Sequence, residues 1–174
     1  LVSSNLERLL FDLYDENNYE VASIMNQLTQ RGHYQVSSEV FTKLQKNFAA
    51  GFATEEEVKS EIKRAYNYDR YVIDPHTAVG SFVGNQYQQK TGDQTPMVIV
   101  STASPYKFPE TVYEAITGGP SMQTGVGAIK ELHDELGGQL SIGVRALFDR
   151  EPKTEKIIEP NDMEKEISSI LDLI

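Results

Sequence analysis

Residues 101–108, Ser-Thr-Ala-Ser-Pro-Tyr-Lys-Phe, gather three hydroxyls and an amine directly after the apolar run Met97-Val98-Ile99-Val100. Ligands of open parallel sheets sit beyond the C-terminal ends of the strands. A hydroxyl of Ser101 or Thr102 at such a place can meet a heteroatom of a bound ring without bringing a full charge. The plain alternative is an ordinary strand-to-helix loop whose serines act as caps. A second group is Asp74-Pro75-His76-Thr77-Ala78-Val79-Gly80. Asp74 and Thr77 suit the start of a helix, whose first amides attract anions. His76 can serve as acid, base or ligand. Here the alternative is a simple cap beside a structural histidine. The third group, Ser3-Ser4-Asn5-Leu6-Glu7-Arg8, reads most simply as a capped helix start.

Other combinations carry less. His33, His76 and His133 have no HxxxH or HxH spacing, so they do not read as a metal site. No G-x-S-x-G elbow supports a serine nucleophile. Gly118-Gly119-Pro120 and Gly125-Val126-Gly127 match neither a dinucleotide fingerprint nor a P-loop. Glu55-Glu56-Glu57 reads as the exposed first turn of a helix.

The elements that must position these groups follow from spacing. Ser4 and Glu7 stand in capping-box register before Leu6, Leu9, Leu10 and Leu13, which predicts a helix over about residues 5–15. Val21, Ile24, Met25 and Leu28 predict a second helix, stopped at Gly32. A third is expected over 37–47 with Val40, Phe41 and Leu44 inward, then a turn at 48–53. Thr54 with Glu57 opens a fourth, lined by Val58, Ile62 and Ala65. Tyr71-Val72-Ile73 reads as a short strand, and Asp74-Pro75 as cap and first residue of a helix ending at Gly92. That helix is expected to turn Val79, Phe82, Val83 and Tyr87 inward. The β-branched run 97–100 suits a strand buried on both faces. Pro109 opens a helix with Val112 and Ile116 inward, stopped at Gly118-Gly119. Ile129, Leu132 and Leu136 mark another, ended by Gly137-Gly138. A short helix is expected within 142–148 and a short strand at Ile157-Ile158. A last helix, capped by Asn161 with Glu164, carries Met163, Ile167, Ile170, Leu171 and Ile174. The whole predicts an α/β chain, helix-rich, with a small parallel sheet and a single domain over 1–174.

Composition narrows the function classes. The chain has 174 residues with 16 basic and 26 acidic ones, a formal net charge of −10. This argues against nucleic acid and against anionic membrane surfaces as partners. It leaves room for a phosphorylated substrate in a locally positive pocket. There is no cysteine, which excludes disulfides and thiolate chemistry and fits a cytoplasmic location. No apolar run is long enough to span a membrane. The opening Leu1-Val2-Ser3-Ser4-Asn5 is not a signal peptide and begins as if continued from something longer.

Four segments together resemble threonine synthase. SSNLERLLFDLY at 3–14, YVIDPHTAVG at 71–80 and VIVSTASPYKFPETV at 98–112 are similar to blocks of that family, in its order. IIEPND at 157–162 before a last helix is similar to its C-terminus. The resemblance covers nearly the whole chain. It implies the C-terminal portion of a fold-type II pyridoxal-phosphate enzyme, related to the tryptophan synthase β subunit. It implies conversion of O-phospho-L-homoserine and water to L-threonine and phosphate, with the cofactor as electron sink.

The resemblance also implies roles for residues. Thr102 matches the threonine whose hydroxyl faces the pyridine nitrogen of the cofactor, with Ser101 the neighbouring candidate. His76, Thr77 and Lys107 match pocket-lining positions. Ser104 stands where many relatives have histidine in TAHP. The family's Schiff-base lysine lies in an SFKD-type segment, and its cofactor phosphate sits in an SGNFG-type loop. Neither pattern occurs here, and Lys43, Lys46, Lys59, Lys63, Lys90 and Lys107 all lack the lysine's setting. The expectation is therefore a chain that forms one wall of the site, is inactive alone, and needs the missing N-terminal part of the same enzyme. The competing expectation is a non-enzymatic module that docks on a partner or binds a small anion.

Overall fold

Side-chain caps begin most of the helices. In this computed structural model, which describes residues 3–150 and 157–171, the Ser3 hydroxyl accepts from the Leu6 amide and opens α1 (Ser4–Leu13). The cap is thus Ser3, one residue before the expected Ser4. Asn17 caps α2 (Asn18–Arg31), which ends at Gly32 with φ 75°. That left-handed turn is open to glycine without strain. Ser37 caps α3 (Ser38–Asn47). Thr54 and Glu57 form a reciprocal capping box at α4 (Glu55–Arg64). The end of α4 widens into a π-type turn, Ala65–Asp69. Asp74 caps α5 (Pro75–Thr91), with Pro75 in its first turn and Gly92 at its end.

The chain divides into two compact units, Leu1–Phe108 and Pro109–Ile174. In the first, Leu10, Ile24 and Val40 from α1, α2 and α3 form one buried cluster, sealed by Leu13, Tyr14, Met25, Tyr34, Val36 and Leu44. Phe41, expected inward, is half exposed; the inward register of α3 is Val40 and Leu44, one turn apart. The helices α4 and α5 pack as a pair. Val58, Ile62 and Ala65 are buried along α4 and its continuation, while α5 buries its small residues Thr77, Ala78 and Gly84. The larger Val79, Phe82, Val83 and Tyr87 are only partly covered. Small residues on the buried face let two helices approach closely.

The expected strands are the main departure. Among the described residues there is no strand. Residues 71–73, 97–100 and 157–158 carry no strand pairing, because no described neighbour completes a ladder. Val98 and Val100 are 85% and 73% exposed, so the run is not buried on both faces. It lies along α5 instead: a Cβ added at Gly84 would fall 2.4 Å from Met97 Sδ.

In the second unit, α6 (Pro109–Thr117) packs on α7 (Val126–Leu136), burying Val112, Ala115 and Ile116 against Ala128 and Leu132. A short α8 (Ile142–Arg145) follows. The last helix, α9 (Met163–Ile170), starts from a 3-10 turn, Pro160–Asp162, with Asp162 at its cap position and no side-chain cap bond, so Asn161 is not the cap. Met163, Ile167, Ile170 and Leu171 are exposed, and Ile174 lies outside the described residues.

Candidate functional site

The site grows from the cap of α5. Asp74 is fully buried, and its carboxylate collects donors from three directions. The His76 amide donates to Oδ1 at 3.0 Å, and His76 Nδ1 lies 3.1 Å from the same oxygen. The Thr77 hydroxyl donates to Oδ2. Burial pushes the Asp74 carboxyl up, but the hydrogen bonds from Thr77 and His76 outweigh it and hold the group below its ordinary value. An ionised carboxylate only accepts, so Nδ1 of His76 carries a proton toward it. The His76 ring stays mostly exposed and leans on Phe108, with centroids 4.9 Å apart and planes tilted by 59°.

The other half comes from the segment after residue 100. Ser101 Oγ lies 3.1 Å from Thr77 Oγ1, a contact bridging 24 residues of sequence. Asp74, Thr77 and Ser101 thus form a continuous polar chain from a buried charge to an exposed hydroxyl. Thr102 follows Ser101 and is exposed. Ser104 accepts from the Tyr106 amide at 3.3 Å and caps a 3-10 turn, Pro105–Lys107. Ser104 is thus a local turn former. Lys107 is exposed at the end of that turn.

Sequence reasoning missed a second polar group beside this one. Glu61 is 6% exposed, and Arg64 grips it with Nε and Nη2 at 2.9 and 2.8 Å. Ser81 Oγ donates to Glu61 at 2.6 Å, joining α4 to α5. Arg64 also meets Asp69 at 3.0 Å. Its hydrogen bond to Glu61 raises the guanidinium further above its ordinary value, so its charge is permanent. The available signal was position: Val58, Glu61, Ile62 and Ala65 share the inward stripe of α4.

A cleft of about 240 Å³ connects the two groups, lined among others by Arg64, Tyr71, Thr77, Ser81, Ile99 and Ser101. Its hydroxyls, backed by a buried carboxylate, can exchange hydrogen bonds with a small polar or heteroatom-bearing ligand. Among the described residues no cluster of His, Asp and Glu could hold a metal ion. No described helix is long and apolar enough to cross a membrane.

Residues 77–165, which include Thr77, Ser101 and Thr102, match the family described as threonine synthase, C-terminal. The chain belongs to the threonine synthase C-terminal family. A threonine synthase from yeast of known structure is 28% identical and superposes with a TM-score of 0.68, over 99% of this chain and 34% of that one. A PLP-bound threonine synthase from Brucella melitensis is 32% identical with a TM-score of 0.58, over 75% of this chain and 27% of that one. The protein called threonine synthase-like 1 of Macaca fascicularis is 33% identical over 140 residues, 80% of this chain and 17% of that protein. The chain thus spans between about a sixth and a third of the threonine synthase relatives it matches.

Proposed function

We propose that this chain is the C-terminal part of a threonine synthase, a lyase of threonine biosynthesis that converts O-phospho-L-homoserine and water to L-threonine and phosphate. The observation that carries the reading is the polar chain Asp74–Thr77–Ser101, ending beside Thr102 within the segment that matches the family. Pyridoxal phosphate, when bound, supplies an electron sink for carbanion chemistry. Thr102 and Ser101 offer hydroxyls to its ring edge, and His76, Thr77 and Lys107 line the same wall. The Schiff-base lysine and the cradle for the cofactor phosphate belong to the remainder of the enzyme, which is this chain's working partner. In that assembly the run 97–100 serves as a strand of a small parallel sheet completed by the remainder. Its exposed Val98 and Val100 support this, since β-branched side chains are suited to a sheet. The location is cytoplasmic.

Two measurements test the reading. In the full-length enzyme, Thr102→Val leaves the fold intact and impairs cofactor function; an unchanged turnover number would sink the assignment of the loop. The 174-residue chain alone, incubated with pyridoxal phosphate and reduced with borohydride, gives no specific adduct by intact mass. A stoichiometric adduct on one lysine would mark it as a cofactor-binding protein in its own right.

A further inference from the structure

A groove of about 900 Å³ runs over α5 in the first unit. Phe48, Val83, Met97 and Ile99 give it apolar walls, and the run 97–100 forms one side. The backbone amides and carbonyls of that run meet no hydrogen-bond partner among the described residues. Unpaired backbone beside apolar side chains is a template on which a further extended segment adds. What that segment carries is set by the charge around the groove. Acidic residues outnumber basic ones in the chain by 26 to 16, yet the two charged residues that line the groove are Lys46 and Lys90. They reach it from the last turns of α3 and α5.

Helix ends favour lysine, because the last carbonyls are partly negative. That accounts for a lysine at each end, but not for a groove wall free of carboxylates. Among the described residues neither ammonium meets a carboxylate, and both lysines are exposed. Water solvates them, and a segment seated on the groove strips part of that water. A charge that loses water without gaining a partner is costly. A purely apolar segment would therefore suit the walls and leave two ammonium groups uncompensated.

We propose, on the reading of this chain as one part of a threonine synthase, that the groove receives an extended apolar segment of the remainder whose carboxylates meet Lys46 and Lys90. The walls supply adhesion without direction. The two lysines fix the register, since a slip of one residue turns every side chain of the guest to its other face.

The test compares the full-length enzyme with the 174-residue chain, the latter held dilute enough to be monomeric by sedimentation. Lys46→Met with Lys90→Met removes both charges and keeps the long apolar stems. The pair should shorten the folded half-life of the full-length enzyme at a fixed elevated temperature about tenfold, because carboxylates of the remainder are left unpaired. It should leave the half-life of the isolated chain within about twofold of wild type, as exposed positions do. Lys46→Arg with Lys90→Arg, which keeps the charges, should restore the full-length enzyme. A methionine pair as long-lived as wild type in the full-length enzyme overturns the proposal. An equal shortening in both proteins also overturns it, since the lysines would then serve only their own helix ends. Either result leaves the threonine synthase reading standing. Acylation by an amine-reactive reagent, followed by peptide mass, should be slower at Lys46 and Lys90 in the full-length enzyme than in the isolated chain. Equal rates would overturn the proposal together with the placing of run 97–100 against the remainder.

Discussion

Replacing Glu61 by alanine isolates the buried joint between α4 and α5. Glu61 is 6% exposed and holds two Arg64 nitrogens, while Ser81 donates to it from the facing helix. Removing one partner of a fully buried ion pair costs about 3–5 kcal/mol. Arg64 is 39% exposed on its side chain and keeps Asp69 at 3.0 Å, so water and that carboxylate recover part of the loss. The Ser81 hydroxyl loses its acceptor, about 1 kcal/mol. The expected destabilisation is therefore about 2 kcal/mol, up to a 30-fold shift toward the unfolded state. The assay is urea unfolding followed by tyrosine fluorescence. All nine tyrosines except Tyr113 precede residue 109, so the signal reports on the first unit. A loss under about 0.5 kcal/mol, the range of ordinary surface substitutions, would refute the view that this joint holds α4 to α5. Glu61→Gln should fall between, because it keeps an acceptor for Ser81 but loses the charge that holds Arg64.

Three further outcomes are expected. The folded Asp74 carboxyl titrates below its ordinary 3.8, so its contribution is complete above that pH and fades as pH falls through the lower folded value; unfolding midpoints of wild type and Asp74→Asn should converge below about pH 4, and a constant gap would contradict this. Thr54→Ala, which removes the capping box of α4, should cost about 1 kcal/mol in urea unfolding, and a neutral result would show the box to be decorative. The isolated chain should self-associate through its exposed run, with Val98 at 85% and Val100 at 73% exposure; Val98→Lys should raise the monomer fraction in sedimentation velocity, and a wild type already monomeric at tens of micromolar would contradict it.

The helices were readable from short-range signals. Gly32, Gly92, Thr54 with Glu57, and Asp74-Pro75 all act within one turn of their own positions, and the structure places helix ends there. The strands were not readable in the same way. Residues 97–100 have the composition of a buried strand, yet composition cannot name the neighbour a ladder requires. The candidate site shows the same divide. Asp74 was legible as a cap because its amide partner is two residues away. Its link to Ser101 was not, since Thr77 and Ser101 meet across 24 residues. Glu61 escaped notice because a carboxylate beside Lys59 and Lys63 looks solvated until Ser81 is brought against it.

Gly84 sets how near the extended run lies to α5. A Cβ there would fall 2.4 Å from Met97 Sδ and 3.4 Å from Ile99 Cδ1, so the run rests in a notch one methyl deep. Ser101 follows Met97 by four residues, about 13 Å along an extended chain. A first methyl at residue 84 meets the far end of the flexible Met97 side chain, which can swing aside, and a larger side chain also meets Ile99. The glycine thus sets how closely these two side chains of the run can settle on α5.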